Sequence, residues 1–195
     1  MDFDMTAERE TCGCKIEYGI FRGGEKIVFV KAGRGGTFRG YGDKYLRFAE
    51  YLRSEYGASV ICADNPEDCR NSAEADVSVL CTYAEEAGFA APRFYFWGTS
   101  DGGFKGVDMA ECLKLEKAVL VNMPLMVNFY RTKERMKKLG GKLFAFVYGD
   151  ADPSYKYVPF LHNLEGCKIV ILENTSHRLE CNEKERELFG RLIFT

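Results

Sequence analysis

The texture of the apolar residues constrains this chain more than any other feature. They come in short unbroken runs: Ile27-Val28-Phe29-Val30, Ala58-Ser59-Val60-Ile61-Cys62-Ala63, Phe94-Tyr95-Phe96-Trp97, Ala118-Val119-Leu120-Val121, residues 143–148 and Ile169-Val170-Ile171-Leu172. A strand with one wet face alternates apolar and polar residues, whereas an unbroken run marks a strand buried on both faces. Between the runs, apolar residues recur at helical spacing. Tyr45, Phe48, Ala49, Leu52 and Tyr56 form one such set. Ala73, Val77, Leu80, Cys81 and Ala84 form another, with Asn71 or Ser72 as its N-cap. Further helices are expected near 104–113, over a basic stretch at 128–139, and over 182–192. Strand–helix alternation of this kind predicts an α/β fold: a three-layer sandwich with a mostly parallel sheet and helices on both faces.

At the front, Lys15 to Phe21 and the turn Arg22-Gly23-Gly24-Glu25 predict a hairpin that adds an antiparallel edge strand. Residues 1–13 are expected to be a loose leading segment. The length of 195 residues suits one domain spanning 1–195. Only one helix fits between the runs at 118–121 and 143–148, so no separate cap domain is expected.

Composition excludes some roles. Lys+Arg number 27 and Asp+Glu 29, which leaves no basic excess for nucleic acid. No window is apolar enough to span a membrane, and the acidic start Met1-Asp2-Phe3-Asp4 lacks the apolar stretch of an export signal. The eight cysteines are accordingly expected to be reduced thiols in a cytoplasmic protein. Cys12-Gly13-Cys14 is the one close pair, and no second pair or histidine stands at zinc spacing from it.

In open α/β sheets, ligands bind at the carboxyl ends of the strands. Three of those ends carry reactive groups. Gly98-Thr99-Ser100-Asp101-Gly102 fits G-x-S-x-G, a sharp strand-to-helix turn in which larger side chains at either glycine would clash. A plain glycine turn whose Ser100 caps the next helix is the simpler alternative. Gly149-Asp150-Ala151-Asp152 follows the run at 143–148, and Glu173-Asn174-Thr175-Ser176-His177 follows the last run. Serine, acid and histidine thus come in that chain order, each after a strand.

On the elbow at 98–102, the turn Gly149-x-x-Asp152 and the late His177, the sequence resembles the α/β-hydrolase superfamily, from about Ile27 to the C-terminus. It looks like a compact, lid-poor, serine esterase- or lipase-like member. The resemblance implies Ser100 as nucleophile, His177 as general base and then acid, and Asp152 as the group that holds the imidazole. Asp150 is the other candidate acid. His162, the second histidine of the chain, lies in an apolar helical stretch that suits a packed or surface side chain. The oxyanion hole would use the backbone N–H of Asp101 and, from the loop Lys31-Ala32-Gly33-Arg34-Gly35-Gly36, that of Arg34. Many relatives have His-Gly where this chain has Ala32-Gly33. That loop lacks the G-x-x-x-x-G-K-[ST] spacing of a phosphate-binding loop.

The implied activity is hydrolysis of an ester or thioester of a small acyl substrate through an acyl-enzyme, with no metal or organic cofactor. Two alternatives stand beside it. One is an inactive binding protein on the same fold; the other is action on amide or C–C bonds, or acyl transfer. Arg34, Arg39, Lys31 and Lys105 could form a positive rim, although an ordinary solvated surface is the simpler account. Tyr41, Tyr155, Tyr157, Phe129 and Tyr130 are candidates for an aromatic pocket wall, and Trp97 for the core.

Overall fold

The computed structural model describes residues 1–11, 13–69 and 72–195. The strands are β1 (Met5–Thr11), β2 (Cys14–Phe21), β3 (Gly24–Lys31), β4 (Ala58–Ala63), β5 (Arg93–Thr99), β6 (Leu115–Val121), β7 (Phe144–Gly149) and β8 (Lys168–Leu172). The helices are α1 (Lys44–Tyr56), α2 (Ser72–Glu86), α3 (Asp101–Cys112), α4 (Phe129–Leu139) and α5 (Glu183–Phe194). The strands form one sheet in the order β1-β2-β4-β3-β5-β6-β7-β8. β3 to β8 run parallel, and β1 and β2 pair antiparallel at one end.

Alternate side chains of each strand point to opposite faces, so the unbroken apolar runs feed two cores. Ile27, Phe29, Phe96, Phe144 and Phe146 pack beneath α2, α3 and α4. Val28, Val30, Tyr95, Trp97 and Val147 pack beneath α1 and α5. Trp97 is fully buried there against Tyr45, Phe48 and Phe189. α5 starts with a reciprocal cap: Asn182 Oδ1 accepts from the Glu185 amide, and Glu185 Oε2 accepts from the Asn182 amide.

The first three strands differ from expectation. β2 and β3 do not form a hairpin, because β4 lies between them and Val60 pairs with both Phe21 and Val28. β4 is buried along its whole length, so it needs a neighbour on each side. The Arg22-Gly23 link therefore crosses the start of β4. Gly23 donates to Ser59 Oγ at 3.0 Å, and a Cβ at Gly23 would sit 2.3 Å from the Ala58 carbonyl oxygen. Within the segment expected to be loose, residues 5–11 form the true edge strand, in register from Met5↔Ile20 to Thr11↔Cys14. Phe3 anchors its start against Phe21, and Glu8, Arg9 and Glu10 place charge on the edge. α2 begins at Ser72; the alternative cap Asn71 lies outside the described residues, as does Cys12 of the close cysteine pair.

Three residues expected at a surface or free are neither. Lys31 is fully buried and donates to Asp76 Oδ1 at 2.7 Å. It continues the Ile27–Phe29 face under α2, so it cannot belong to a positive rim. Burial pushes the Asp76 carboxyl above its usual range, and Lys31 opposes that rise. Cys14 and Cys69 are joined by a disulfide with Cα atoms 5.0 Å apart, across 55 residues of sequence. This corrects the expectation that all the thiols are reduced. Such cross-links are uncommon in reducing compartments, which runs against the cytoplasmic expectation. No helix among the described residues is long and apolar enough to cross a membrane.

Two outcomes are expected. Non-reducing peptide mapping should recover Cys14 linked to Cys69, and reduction should lower stability by about 4 kcal/mol on loop-closure entropy for this separation. Lys31→Met should destabilise by about 3–5 kcal/mol in chemical denaturation, because it strands a buried carboxylate, whereas Lys31→Met/Asp76→Leu should recover most of that loss.

Candidate active site

Ser100 sits at the sharp turn between β5 and α3 with φ 53° and ψ −126°, a conformation that strains an L-residue by about 1–3 kcal/mol. The neighbouring elements hold it there. Its amide donates to the Val121 carbonyl at 2.8 Å, and its carbonyl accepts from Gly103 at 2.9 Å. Gly98 and Gly102 face backbone: a Cβ would lie 2.6 Å from the Gly102 oxygen and 2.4 Å from the Ala32 oxygen respectively. α3 begins at Asp101, earlier than its apolar spacing indicates, because glycines 102, 103 and 106 interrupt the pattern. They let the helix settle closely on Phe96 and Met123. Ser100 Oγ makes no cap bond to this helix.

Ser100 Oγ lies instead 3.0 Å from His177 Nε2, and His177 Nδ1 lies 2.5 Å from Asp152 Oδ2. The Asp152 side chain is fully buried, while that of His177 is 43% exposed, so the chain runs from the interior to an open surface. The second oxygen of Asp152 accepts from the Ser154 amide at 2.6 Å, which fixes the carboxylate. Asp150 serves elsewhere: its Oδ1 accepts from the Thr175 amide at 3.1 Å and braces the loop that carries His177. His162 is exposed, in the 3-10 turns over Tyr155–Asn163. A hydroxyl, an imidazole and a buried carboxylate in this order can move the hydroxyl proton to the ring during nucleophilic attack.

Asn122 was not picked out from the sequence. It is fully buried at the end of β6, with φ 48°. Its Nδ2 donates to the carbonyls of Ser176 (3.2 Å) and His177 (3.0 Å), and its Oδ1 accepts from Gly149 (3.0 Å). One amide thus ties the histidine loop to the acid loop. Gly149 lets them meet, since a Cβ there would be 2.0 Å from the Thr175 oxygen.

Residues 33–36 form a turn closed by Gly36 N–H to Gly33 O at 2.8 Å, with Gly35 supplying φ 67°. The turn lies against the elbow, where a Cβ on Gly33 would sit 3.3 Å from Ser100 Cβ. Among the described residues, the amides of Arg34 and Asp101 donate to no protein acceptor.

Solved structures share this arrangement of elements from end to end. A serine hydrolase homologue from Coxiella burnetii matches with TM-score 0.73 at 17% identity, over 98% of each chain. Est1E from Butyrivibrio proteoclasticus matches with TM-score 0.69 at 15% identity, over 95% of this chain and 94% of its own. Dienelactone hydrolase from Anabaena variabilis matches with TM-score 0.66 at 15% identity, over 96% and 93%. The chain has the α/β-hydrolase fold. No protein-family model and no curated protein matches the sequence.

On this α/β-hydrolase fold, one helix, α4, and its flanking turns fill the stretch between β6 and β7. Beside it runs a groove of about 480 Å³ lined by Leu125, Phe129, Tyr130, Arg131, Tyr157 and Phe160. Three of the five aromatic wall candidates are therefore there; Tyr41 is almost fully exposed elsewhere, and Tyr155 is not among the lining residues. Leu125, in the groove lining, donates its amide to Ser154 Oγ at 3.2 Å, and the Ser154 amide holds Asp152. Arg39 is engaged by Asp2 and Asp43. With Lys31 buried and Arg39 paired, two of the four residues weighed for a positive rim do not form one.

Asn122→Ala should destabilise the protein by about 1–3 kcal/mol, because it leaves buried backbone groups unpaired. It should also lower turnover, as the histidine and acid loops lose their shared tie; thermal melting and ester kinetics on the same sample check both.

Proposed function

We propose that the protein is a serine hydrolase that cleaves an ester or thioester of a small acyl substrate. The observation that carries this reading is the unbroken hydrogen-bonded chain Ser100–His177–Asp152 at an open face. Ser100 Oγ attacks the carbonyl carbon while His177 Nε2 takes its proton. Asp152 holds the Nδ1–H tautomer and stabilises the imidazolium. The oxyanion is received by the free amides of Arg34 and Asp101, with the N-terminal end of α3 adding its positive dipole. His177 returns the proton to the leaving alcohol or thiol. A water deprotonated by His177 then attacks the acyl-enzyme, releasing the acid and regenerating Ser100.

An inactive binding role fits less well, because a binding protein has no need to keep a strained serine, a buried carboxylate and two unpaired amides in register. The fold shared with proteins described as a serine hydrolase homologue and a dienelactone hydrolase also favours hydrolysis.

With p-nitrophenyl acetate as substrate, Ser100→Ala should lower kcat by about 10⁴ or more. A fluorophosphonate probe should label the wild type and neither Ser100→Ala nor His177→Ala. Turnover unchanged in Ser100→Ala would sink the proposal.

A further inference from the structure

Under the serine-hydrolase reading, the oxyanion hole is built from two separate segments. Asp101 belongs to the elbow, and Arg34 belongs to a turn with glycines at 33, 35 and 36. Glycines give such a turn wide conformational freedom. A donor pair works only if its geometry is fixed before charge develops on the substrate. Something must therefore hold the Arg34 turn against the elbow.

Asn65, in the loop after β4, makes three bonds that do this. It is 2% exposed. Its amide donates to Gly36 O at 3.0 Å, and its carbonyl accepts from Gly35 N at 2.8 Å, so its backbone grips the turn just past Arg34. Its side-chain Nδ2 donates to Asp101 Oδ2 at 3.1 Å, across to the elbow. The loop behind it is fastened in turn. Asp64 N–H donates to Glu17 O at 3.0 Å, Asp64 Oδ1 accepts from Glu17 N at 3.1 Å, and Cys69 is bonded to Cys14. Asn65 thus stands on a base anchored to β2 and bonds to both segments that carry the donors.

We propose that Asn65 is a positioning residue that couples the two halves of the oxyanion hole, an inference that rests on the serine-hydrolase reading of the same site. Its side-chain bond to Asp101 is the separable part, because the backbone bonds survive substitution.

The test compares kcat and KM on p-nitrophenyl acetate for a set of variants. Asn65→Asp sets two carboxylates face to face and should lower kcat by about tenfold or more, with KM nearly unchanged, as expected for misplaced transition-state donors. Asp101→Asn keeps an oxygen acceptor and serves as the single-variant reference for the exchange. Asn65→Asp/Asp101→Asn restores the bond with donor and acceptor exchanged, and should return kcat to within about threefold of wild type. A merely structural role would not produce that exchange. If Asn65→Asp does not fold, Asp101→Ala reads the same bond from its half-exposed end, with a loss of about tenfold in kcat. Wild-type kcat in Asn65→Asp, a double variant as slow as Asn65→Asp, or wild-type kcat in Asp101→Ala overturns the inference alone, provided Ser100→Ala is inactive. Turnover retained in Ser100→Ala brings down the reading and the inference with it.

Discussion

Much of this structure turns on one strained backbone position. Ser100 is held at φ 53° and ψ −126°, and the surrounding elements make that conformation the best available. The sheet order places β3 and β6 on either side of β5. β6 supplies the Val121 carbonyl that accepts from the serine amide, and β3 delivers the Ala32 and Lys31 carbonyls onto Gly102. Neither approach tolerates a Cβ at Gly98 or Gly102. The glycines of the G-x-S-x-G pattern are thus a consequence of how tightly three strand ends converge, and the exposed hydroxyl follows from the same convergence.

The sequence made this part of the molecule readable because the signals are local. Five interior strands announce themselves as unbroken apolar runs, since each is buried on both faces. The elbow glycines, the serine, the turn Gly149-x-x-Asp152 and His177 stand at strand ends within a few residues of those runs. The choice between Asp152 and Asp150 was not local. Both follow β7, and what separates them is the His177 ring facing one while the Thr175 amide faces the other.

Features that depend on distant partners were not readable. The position of β4 between β2 and β3 comes from its need for two neighbours, whereas the Arg22-Gly23-Gly24-Glu25 stretch carries ordinary turn chemistry. Lys31 ends an apolar strand and looks like the start of a wet loop; only Asp76 on α2 makes its burial sustainable. The Cys14–Cys69 bond spans 55 residues with no spacing rule to mark it. Charged edge residues hid β1, because an edge strand has only one neighbour and needs no apolar run. Asn122 and Asn65 resembled any asparagine after a strand, a residue type that is usually a turn former.

Those two asparagines have a physical logic in common. Each joins loops from different strands, and each is neutral. A charged brace at either place would put a full charge beside a carboxylate, an imidazole or a serine oxygen in a partly desolvated site, where its field acts strongly. An amide offers both donor and acceptor, so it can bridge carbonyls and N–H groups without adding net charge. Asn122 uses both, donating to the histidine loop and accepting from Gly149. The buried ion pair Lys31–Asp76 is kept instead under α2, with its two charges matched against each other. Geometry at the strand ends is thus fixed by glycine contacts, neutral amides and the Asp150 carboxylate on the Thr175 amide. The charges that change during the proposed reaction are left to Ser100, His177 and the substrate oxygen, with Asp152 a fixed negative charge behind the ring.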